Sequence, residues 1–407
     1  MYIFRHLQEK ILNVSGTFPA LLLSGARQVG KTTLLKHLKE NNRTYLSLDD
    51  PEIKELAVND PALFLQRFPP PLFIDEIQYA PQLFPHLKMY IDNSQQNGLF
   101  WLSGSQQFSL MKNVSESLAG RIAILNLYGL SQAELNNSPG KMNPFIPDIQ
   151  NLEKRAFGKK EPDLIEIYQQ IFKGQMPKLH INNPPDLSTF FSSYIQTYIQ
   201  RDVRSLINIG DEMAFFRFLR AIAARTGQML NKSELARDAA ISPKTAESWL
   251  SILRASGLIY LLEPYFKNLT KRLIKSPKLY FLDTGLCAYL TGWHNWETLE
   301  AGALNGAILE TWVVSEIIKN YNNNGIPANF YYLRTKDGSE IDLLIELNGV
   351  IHPLEIKKTA HPTKNDIRHF HLLQKNGGKI APGGVICLCK HLLPIDENNY
   401  SIPVGIL

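Results

Sequence analysis

Short apolar runs alternate with amphipathic stretches over the first third of the chain. Strand-like runs separated by helical periodicity are typical of βαβ units and a parallel sheet. The runs are Leu21–Leu23, Thr44–Leu48, Pro71–Ile74, Leu99–Leu102 and Arg121–Leu127. A helical stretch, Thr32–Glu40, follows the first of them. The pattern predicts an α/β domain over residues 1–135.

The pattern changes twice further along. The composition of 136–163, rich in Asn, Pro, Gly and Lys, predicts that this segment contains a flexible loop. Helical periodicity then dominates to about residue 270, and strand and turn signals return from about 277. The predicted divisions after the α/β domain are a linker and helical region at 136–225, a winged-helix-like unit at 226–270 and a C-terminal α/β domain at 271–407.

Composition adds few constraints. The 407 residues are 44% hydrophobic and 20% charged, which allows a substantial core, and the net charge of +5 permits nucleic-acid contact without requiring it. Cys287, Cys387 and Cys389 show neither a disulfide pattern nor zinc spacing. No apolar run approaches a membrane span. We therefore expect a cytoplasmic protein without membrane contact.

A glycine-rich loop separates the first predicted strand from its helix. It fits G-x-x-x-x-G-K-[ST], the pattern that binds nucleotide phosphates through backbone N–H groups and a helix N-terminus. We expect Lys31 to contact the β- and γ-phosphates of ATP and the Thr32 hydroxyl to ligate Mg²⁺. The predicted nucleotide-binding residues of this loop are Gly25, Ala26, Arg27, Gln28, Val29, Gly30, Lys31, Thr32 and Thr33.

Two acids follow the third predicted strand. Asp75 and Glu76 come directly after the apolar run Pro71–Ile74. Asp75 is the expected second Mg²⁺ ligand, and Glu76 is expected to orient the attacking water. Glu76 and Lys31 are thus the predicted catalytic residues of an ATPase.

Other polar residues have two interpretations each. Ser105 or Gln106, after the fourth strand, either senses the γ-phosphate or caps a helix. Arg121 either contacts nucleotide, in its own subunit or a neighbouring one, or is a surface charge. Arg201 and Arg204 compete with Arg121 for the role of an arginine finger.

Asn231–Tyr265 reads as helix, turn, helix and a strand-like wing, which resembles a winged helix. Ser233 is a candidate cap for the first helix, and Ile241–Pro243 makes the turn. Two roles stay open for this unit, namely DNA contact and a packing or oligomer spacer. The second helix is expected to expose Lys244, Thr245, Glu247, Ser248 and Arg254.

An Asn348-Gly349 pair between two strand-like runs predicts a two-residue hairpin. In that register opposed residue numbers have a constant sum, so Asp342 faces Glu355, and Lys357 shares their face. Like charges directly opposite each other are destabilising, so a cation or a proton is expected between them.

The helix before the hairpin supplies another acid. Glu310 falls on the apolar face of Ala301–Tyr321, whereas Glu316 falls on a mixed face and is expected to be solvated. We expect Asp342, Glu355 and Glu310 to bind Mg²⁺. Asp342, Glu355 and Lys357 are the predicted catalytic residues of phosphodiester hydrolysis, Lys357 positioning or activating water.

Three interpretations of the hairpin stay open. It is a working nuclease site, or a nuclease fold kept for gripping DNA without cutting it. The third is a solvated surface with an ion pair between Glu340 and Lys357, which the same register opposes. That last interpretation leaves Asp342 opposite Glu355 unexplained.

These motifs together resemble a known family. GARQVGKTT, FIDEIQYAP, WLSGSQQ and SLAGR are similar to the prokaryotic AAA-type ATPases related to the STAND and archaeal-ATPase clade. YIQRDVR and FLDTGL resemble the C-terminal domain commonly fused to them. The resemblance spans nearly the whole chain. It implies ATP and Mg²⁺ binding, self-assembly through arginine contacts in trans, and a restriction-endonuclease-like, PD-(D/E)XK, C-terminal module. Gly174–Pro177 departs by one residue from a Gly-x-Pro element frequent in these clades, so it receives no nucleotide role.

Two functions follow as expectations. The first is an ATPase whose C-terminal domain binds DNA, and cleaves it if the hairpin is a working nuclease site. The alternative is a STAND-like switch in which ATP drives homo-oligomerisation and the nuclease fold is an inactive scaffold. A small-molecule kinase is disfavoured, because no acceptor-substrate pocket is recognisable.

Overall fold

A computed structural model describes residues 2–104, 117–136, 143–158, 162–198, 212–266, 276–375 and 379–407. Its first sheet has five strands in the order β2-β3-β4-β1-β5, all parallel. They are β1 (Ala20–Ser24), β2 (Thr44–Ser47), β3 (Leu72–Asp75), β4 (Phe100–Ser103) and β5 (Ile122–Asn126). The predicted α/β fold and all five predicted strands are confirmed.

Helices cover this sheet, and local sequence sets where several of them begin. Asp50 and Asp60 each cap a helix with a side-chain oxygen, and a proline follows each at the first helical position. The helices are α1 (Leu7–Ser15), α2 (Lys31–Leu38), α3 (Pro51–Asn59), α4 (Pro61–Arg67) and α5 (Leu83–Ser94), with a 3₁₀ turn at Ile77–Tyr79.

The segment predicted to contain a loop also contains a helix. Asp148 caps the helix by accepting from the Asn151 N–H, and the helix buries Leu152 and Arg155. Tertiary packing of these two side chains overrides the loop-like composition. The helices of this region are α6 (Gln132–Leu135), α7 (Ile149–Ala156), α8 (Leu164–Lys173), α9 (Leu187–Tyr198) and α10 (Glu212–Ala223), with a 3₁₀ turn at Pro177–His180.

A small antiparallel sheet follows α10. Its strand β8 pairs with both β6 and β7. Asn231, not the predicted Ser233, caps the first helix of this unit, and Ser242 caps the second. The elements are β6 (Gln228–Met229), α11 (Lys232–Ala239), α12 (Pro243–Ala255), β7 (Ile259–Pro264) and β8 (Lys278–Phe281).

The remaining elements build a mixed sheet around one long helix, α15. The helices are α13 (Thr284–Leu290), α14 (Trp296–Ala301), α15 (Asn305–Asn323) and α16 (Leu372–Lys375), with a 3₁₀ turn at Val404–Ile406. The strands are β9 (Asn329–Arg334), β10 (Glu340–Leu347), β11 (Val350–Lys357), β12 (Gly383–Cys387), β13 (Leu393–Pro394) and β14 (Asn399–Pro403).

This second sheet crosses the predicted boundary between residues 270 and 271. Its strand order is β13-β14-β12-β11-β10-β9-β7-β8-β6, so the small antiparallel sheet is continuous with the C-terminal strands. The junction is a parallel pairing of β7 with β9, where Glu263 is opposite Tyr331. A single sheet therefore joins two regions that sequence patterns separate.

Helix α15 also packs against the N-terminal region through buried polar contacts. Glu316 is 3% exposed, accepts the backbone N–H of Gln132 at 2.9 Å and pairs with Lys319. Lys319 Nζ donates to the carbonyl of Leu130 at 2.9 Å. The expectation that Glu316 is solvated is wrong, because residues distant in sequence cover that face of the helix.

Candidate functional site

The glycine-rich loop lies at the carboxyl end of β1 and leads into α2. Gly25, Gln28 and Gly30 have φ values of 144°, 61° and 94°, which wrap the backbone tightly. A Cβ atom at Gly25 would clash with the carbonyl oxygen of Leu127 on the neighbouring chain segment. Glycine is thus required at Gly25 for both conformation and space.

Lys31 points back over this loop. Its side-chain nitrogen donates to the carbonyls of Gly25 at 2.9 Å and Ala26 at 2.8 Å, and the residue is 8% exposed. The next residue, Thr32, begins to open to solvent, and Thr33 is exposed. The ammonium group therefore lies inside the curve of the loop, where phosphates bind in proteins with this motif.

Asp75 accepts hydrogen bonds from hydroxyl groups of three neighbouring elements. Thr32 Oγ1 donates to its Oδ2 at 2.8 Å, Tyr45 donates to the same oxygen at 3.3 Å, and Ser103 donates to Oδ1. Carboxylate and hydroxyl oxygens are the hard ligands that Mg²⁺ prefers. Thr32 and Asp75 therefore fit the predicted ion. Tyr45 and Ser103 were not predicted. Ser103 ends β4 at the carboxyl edge of the sheet, and Tyr45 lies within β2.

Glu76 follows Asp75 in a left-handed backbone conformation, with φ of 56°. The Gln78 side-chain amide donates to its Oε2. Burial raises the pKa of Glu76, which Gln78 and the positive charges of Lys31 and Arg27 partly counteract. The carboxyl group lies beside the lysine that the sequence predicts to bind phosphate.

Arg5 supports the loop from outside, and no sequence signal identified it. Its guanidinium group donates to the carbonyls of Val29 and Tyr128, each at 2.7 Å, and its Nε is 3.1 Å from Glu134 Oε1. Arg5 and Glu134 are 4% and 1% exposed. A buried ion pair therefore joins the glycine-rich loop to α6.

Two later segments also approach the loop. A Cβ atom at Gly257, between α12 and β7, would lie 3.5 Å from the backbone nitrogen of Ala26. A Cβ at Gly30 would lie 3.8 Å from Pro177. The structure thus brings Gly174–Pro177, which received no nucleotide role, next to the predicted phosphate site.

Of the three candidate arginine fingers, Arg121 lies within the described residues. Arg121 lies just before β5, at the sheet edge opposite the glycine-rich loop, and its Nε is 2.5 Å from Asp92 Oδ1. A five-residue strand spans about 16 Å, so the predicted contact of Arg121 with nucleotide in its own subunit is not supported. Ser105, Gln106, Arg201 and Arg204 lie outside the described residues.

The hairpin has the predicted register. Leu343 is opposite Leu354 and Leu347 is opposite Val350, which makes Asp342 and Glu355 the next opposed residues. Asn348 and Gly349 have φ values of 51° and 78°, as a two-residue turn of this kind requires.

Lys357 lies between the two acids. Its Nζ is 3.3 Å from Asp342 Oδ2 and 2.8 Å from Glu355 Oε2, and Asp342 Oδ2 also accepts the Ile356 N–H at 2.9 Å. Burial and the charge of Asp342 raise the pKa of Glu355 to about 9. Burial alone would raise the pKa of Asp342, but Lys278 and Lys357 lower it. Glu355 Oε1 is buried without a hydrogen-bond partner among the described residues.

Lys278, from β8, is the residue of this cluster that sequence analysis missed. Its Nζ is 3.0 Å from Glu310 Oε1 and 3.8 Å from Asp342 Oδ1, and it pairs with Glu340. Tyr280, two residues along the same face, donates to Glu310 Oε1 at 2.6 Å. A lysine inside the apolar strand KLYF was the available signal, since a buried lysine needs an acidic partner.

The contacts of Lys278 bear on the predicted roles of Glu310 and Glu340. The side chain of Glu310 is 15% exposed, so its predicted position on the buried face holds, but its carboxylate is paired with Lys278. Glu340 pairs with Lys278 and Arg334, and Lys357 pairs with Asp342 and Glu355, so the alternative Glu340–Lys357 ion pair is not what forms.

The predicted metal set does not converge. Within the described parts of the chain, no three His, Cys, Asp or Glu side chains are arranged to hold a metal ion. Asp342 and Glu355, but not Glu310, border a cleft of about 220 Å³. Its other side carries Asn365, Asp366, Arg368 and His369 of the 359–371 segment.

Comparisons with known proteins divide the chain into three parts. Residues 17–136 match the family described as AAA domain. Residues 165–297 and 305–407 match two domains of unknown function, DUF8612 and DUF4143. Uncharacterized proteins of Mycobacterium tuberculosis and Mycobacterium bovis are each 28% identical over 386 residues, which is 95% of this chain and 80% of theirs.

Solved structures overlap the chain in part. A Walker-type ATPase of Pyrococcus abyssi is 18% identical with a TM-score of 0.43, and the match covers 70% of this chain and 94% of that one. A STAND protein with a tetratricopeptide repeat sensor from Pyrococcus horikoshii is 12% identical with a TM-score of 0.25, covering 78% and 48%. None of the helices in the described ranges is long and apolar enough to cross a membrane. The glycine-rich loop lies within residues 17–136, so the geometry at this loop belongs to the region that matches the AAA domain family.

Proposed function

We propose that this chain binds and hydrolyses ATP at the loop between β1 and α2. The observation that carries the proposal is the contact of Thr32 with Asp75, 2.8 Å apart, beside the buried ammonium group of Lys31. It joins an oxygen pair suited to Mg²⁺ with a phosphate-binding lysine at the carboxyl edge of a parallel sheet.

Each residue has a role in this proposal. Lys31 exchanges its two carbonyl acceptors for oxygens of the β- and γ-phosphates, while the loop N–H groups bind the remaining oxygens. Thr32 and Asp75 would hold Mg²⁺, which supplies charge neutralisation at the phosphates. Glu76 orients the attacking water and accepts its proton, and a raised pKa makes it a stronger base.

Two substitutions test the ATP site. Lys31→Ala should abolish ATP binding, and Glu76→Gln should bind ATP without hydrolysing it. Lys154→Ala, at an exposed lysine on α7, is the control and should hydrolyse ATP at the wild-type rate. If Lys31→Ala turns over ATP normally, the proposal is wrong.

We propose further that the C-terminal half binds DNA through a winged helix and the nuclease-like domain. The order α10, β6, α11, α12, β7, β8 with β8 between the other strands supports a winged helix. The side chains of Lys244, Ser248 and Arg254 are exposed on α12, whereas the negative charge of Glu247 is paired with Lys232.

The decisive measurement is ATP hydrolysis with and without duplex DNA. Stimulation that is lost in Lys244→Glu and Arg254→Glu, but kept in Lys54→Glu on α3, would support DNA contact by α12. Equal rates with and without DNA, together with no DNA binding by the wild type, would contradict it.

A second candidate function is a nucleotide-dependent switch that assembles through arginine contacts in trans and uses an inactive nuclease fold as a scaffold. The ion pairs of Lys278 with the predicted metal-binding acids favour it. Sizing the protein with and without ATP, alongside a nicking assay in Mg²⁺ or Mn²⁺, separates the candidates. Nicking that Asp342→Ala and Lys357→Ala abolish would exclude the scaffold.

A further inference from the structure

Lys278 is a buried cation among acids that it reaches from another part of the chain. The acids belong to α15 and β10, whereas Lys278 belongs to β8. Its side chain is 3% exposed, with Nζ 3.0 Å from Glu310 Oε1. An ammonium group this buried remains charged only if acids surround it, so the contacts are a requirement of the fold.

The charges around the cleft nearly balance without any added ion. The carboxylates are Glu310, Glu340, Asp342 and Glu355, and the cations in contact with them are Lys278, Lys357 and Arg334. Each of the four acids therefore has at least one cationic partner within the described residues. Four carboxyl groups face three cations, so the cluster carries at most one net negative charge, and a divalent ion would make it positive.

The hydrogen bonds of the carboxylate oxygens also disfavour Mg²⁺ binding. Mg²⁺ requires oxygen ligands at about 2.0–2.1 Å in an octahedral arrangement. Glu310 Oε1 instead accepts from both Lys278 and Tyr280, and Asp342 Oδ2 accepts from Lys357 and the Ile356 N–H. An ion held by Glu310 and Asp342 would also lie close to the Lys278 ammonium group and be repelled by it. These residues do not fit the predicted metal.

We propose that Lys278 is the resident cation of this cluster and takes the place of the divalent ion that a nuclease of this fold would bind. The C-terminal unit then keeps its acidic cleft without a metal and does not hydrolyse phosphodiesters. The inference deepens the scaffold function, and it is independent of ATP hydrolysis at Lys31, so either can fail without the other.

Manganese binding tests this directly. The full-length protein carrying Asp75→Asn, free of nucleotide, removes the N-terminal metal ligand, and Mn²⁺ is titrated while its electron paramagnetic resonance signal is followed. With Lys278 intact we expect no saturable Mn²⁺ binding. Lys278→Met in the same background should bind one Mn²⁺, and adding Asp342→Asn should abolish that binding.

Lys357→Met is the matched control, because Lys357 also contacts Asp342 but is 40% exposed. It should not create a Mn²⁺ site, since Lys278 still occupies the cluster. The proposal is overturned if the protein with Lys278 intact binds Mn²⁺ saturably and loses it with Asp342→Asn. It is equally overturned if folded Lys278→Met, checked by near-ultraviolet circular dichroism, binds no Mn²⁺. If Lys278→Met does not fold, the test is Mn²⁺ binding by the protein with Lys278 intact, compared with the same protein carrying Asp342→Asn.

Discussion

Lys31 and Lys278 are both buried beside acidic residues, and their partners differ. Lys31 donates to two neutral backbone carbonyls, whereas Lys278 faces three carboxylates. Both lysines are charged donors, but only the carboxylates around Lys278 add the attraction between opposite charges. An incoming phosphate can therefore displace the partners of Lys31 but not those of Lys278. The acceptor type distinguishes a ligand-binding lysine from a structural one.

The largest expected effect is on catalysis at the first site. Glu76→Gln should lower the ATP hydrolysis rate about 10²- to 10⁴-fold, the usual contribution of a general base, and leave ATP affinity nearly unchanged. Glu310→Gln, at the second site, should leave the rate unchanged. Steady-state hydrolysis and equilibrium nucleotide binding check both. A comparable loss of rate in Glu310→Gln would erase the distinction between the sites.

Lys31→Ala should lower ATP hydrolysis by at least about 10²- to 10³-fold, because ATP binding is lost together with a charged group that stabilises the transition state. Its free energy of unfolding should fall by only about 1–3 kcal/mol, because the carbonyls that lose their donor carry no net charge. Activity assays and urea denaturation measure the two effects. A large loss of stability would mean that Lys31 is structural too.

Lys278→Met should lower the stability of the protein strongly and leave its ATP hydrolysis unchanged. Removing one partner of a buried ion pair costs about 3–5 kcal/mol, because the other charges remain buried and uncompensated. ATP hydrolysis per folded molecule should stay at the wild-type level. Urea denaturation gives the stability change, and a loss under about 1 kcal/mol would contradict the structural role of Lys278.

Combining Lys278→Met with Glu310→Gln should recover part of that loss. Neighbouring charged residues typically show coupling of about 0.5–3 kcal/mol, and here the second change removes an acid that the first has left unpaired. A double-mutant cycle in urea measures the coupling. Strict additivity would mean that Glu310 and Lys278 do not interact energetically.

A final effect concerns pH. The pKa of Glu355 is raised to about 9, so its folded form holds a proton that the unfolded chain releases near pH 4 to 5. Its contribution to stability is complete below the unfolded pKa and is lost as pH rises through the folded one. Stability should therefore fall between about pH 5 and 9, by at most about 1.4 kcal/mol per pH unit. Glu355→Gln should flatten this dependence of stability on pH. Urea denaturation of both proteins across this pH range, in a buffer that contains a metal chelator, checks it.

Local patterns predicted the parts of the fold that depend on neighbouring residues. The constant sum of opposed residue numbers fixed the hairpin register, and the glycine-rich loop fixed the strand and helix on either side of it. Lys278, Arg5 and the burial of Glu316 depend on contacts between distant segments, such as residue 278 with 310 and residue 132 with 316. No periodicity within one element encodes such contacts.

The pairing of β7 with β9 bears on how the C-terminal region can be isolated. A fragment beginning at residue 305, where the second domain of unknown function starts, would lack β7, β8 and Lys278. It would expose the edge of β9, and unpaired strand edges promote aggregation. A fragment made to fold alone should therefore begin before β6, so that β9 keeps its neighbouring strand and the acidic cleft keeps Lys278.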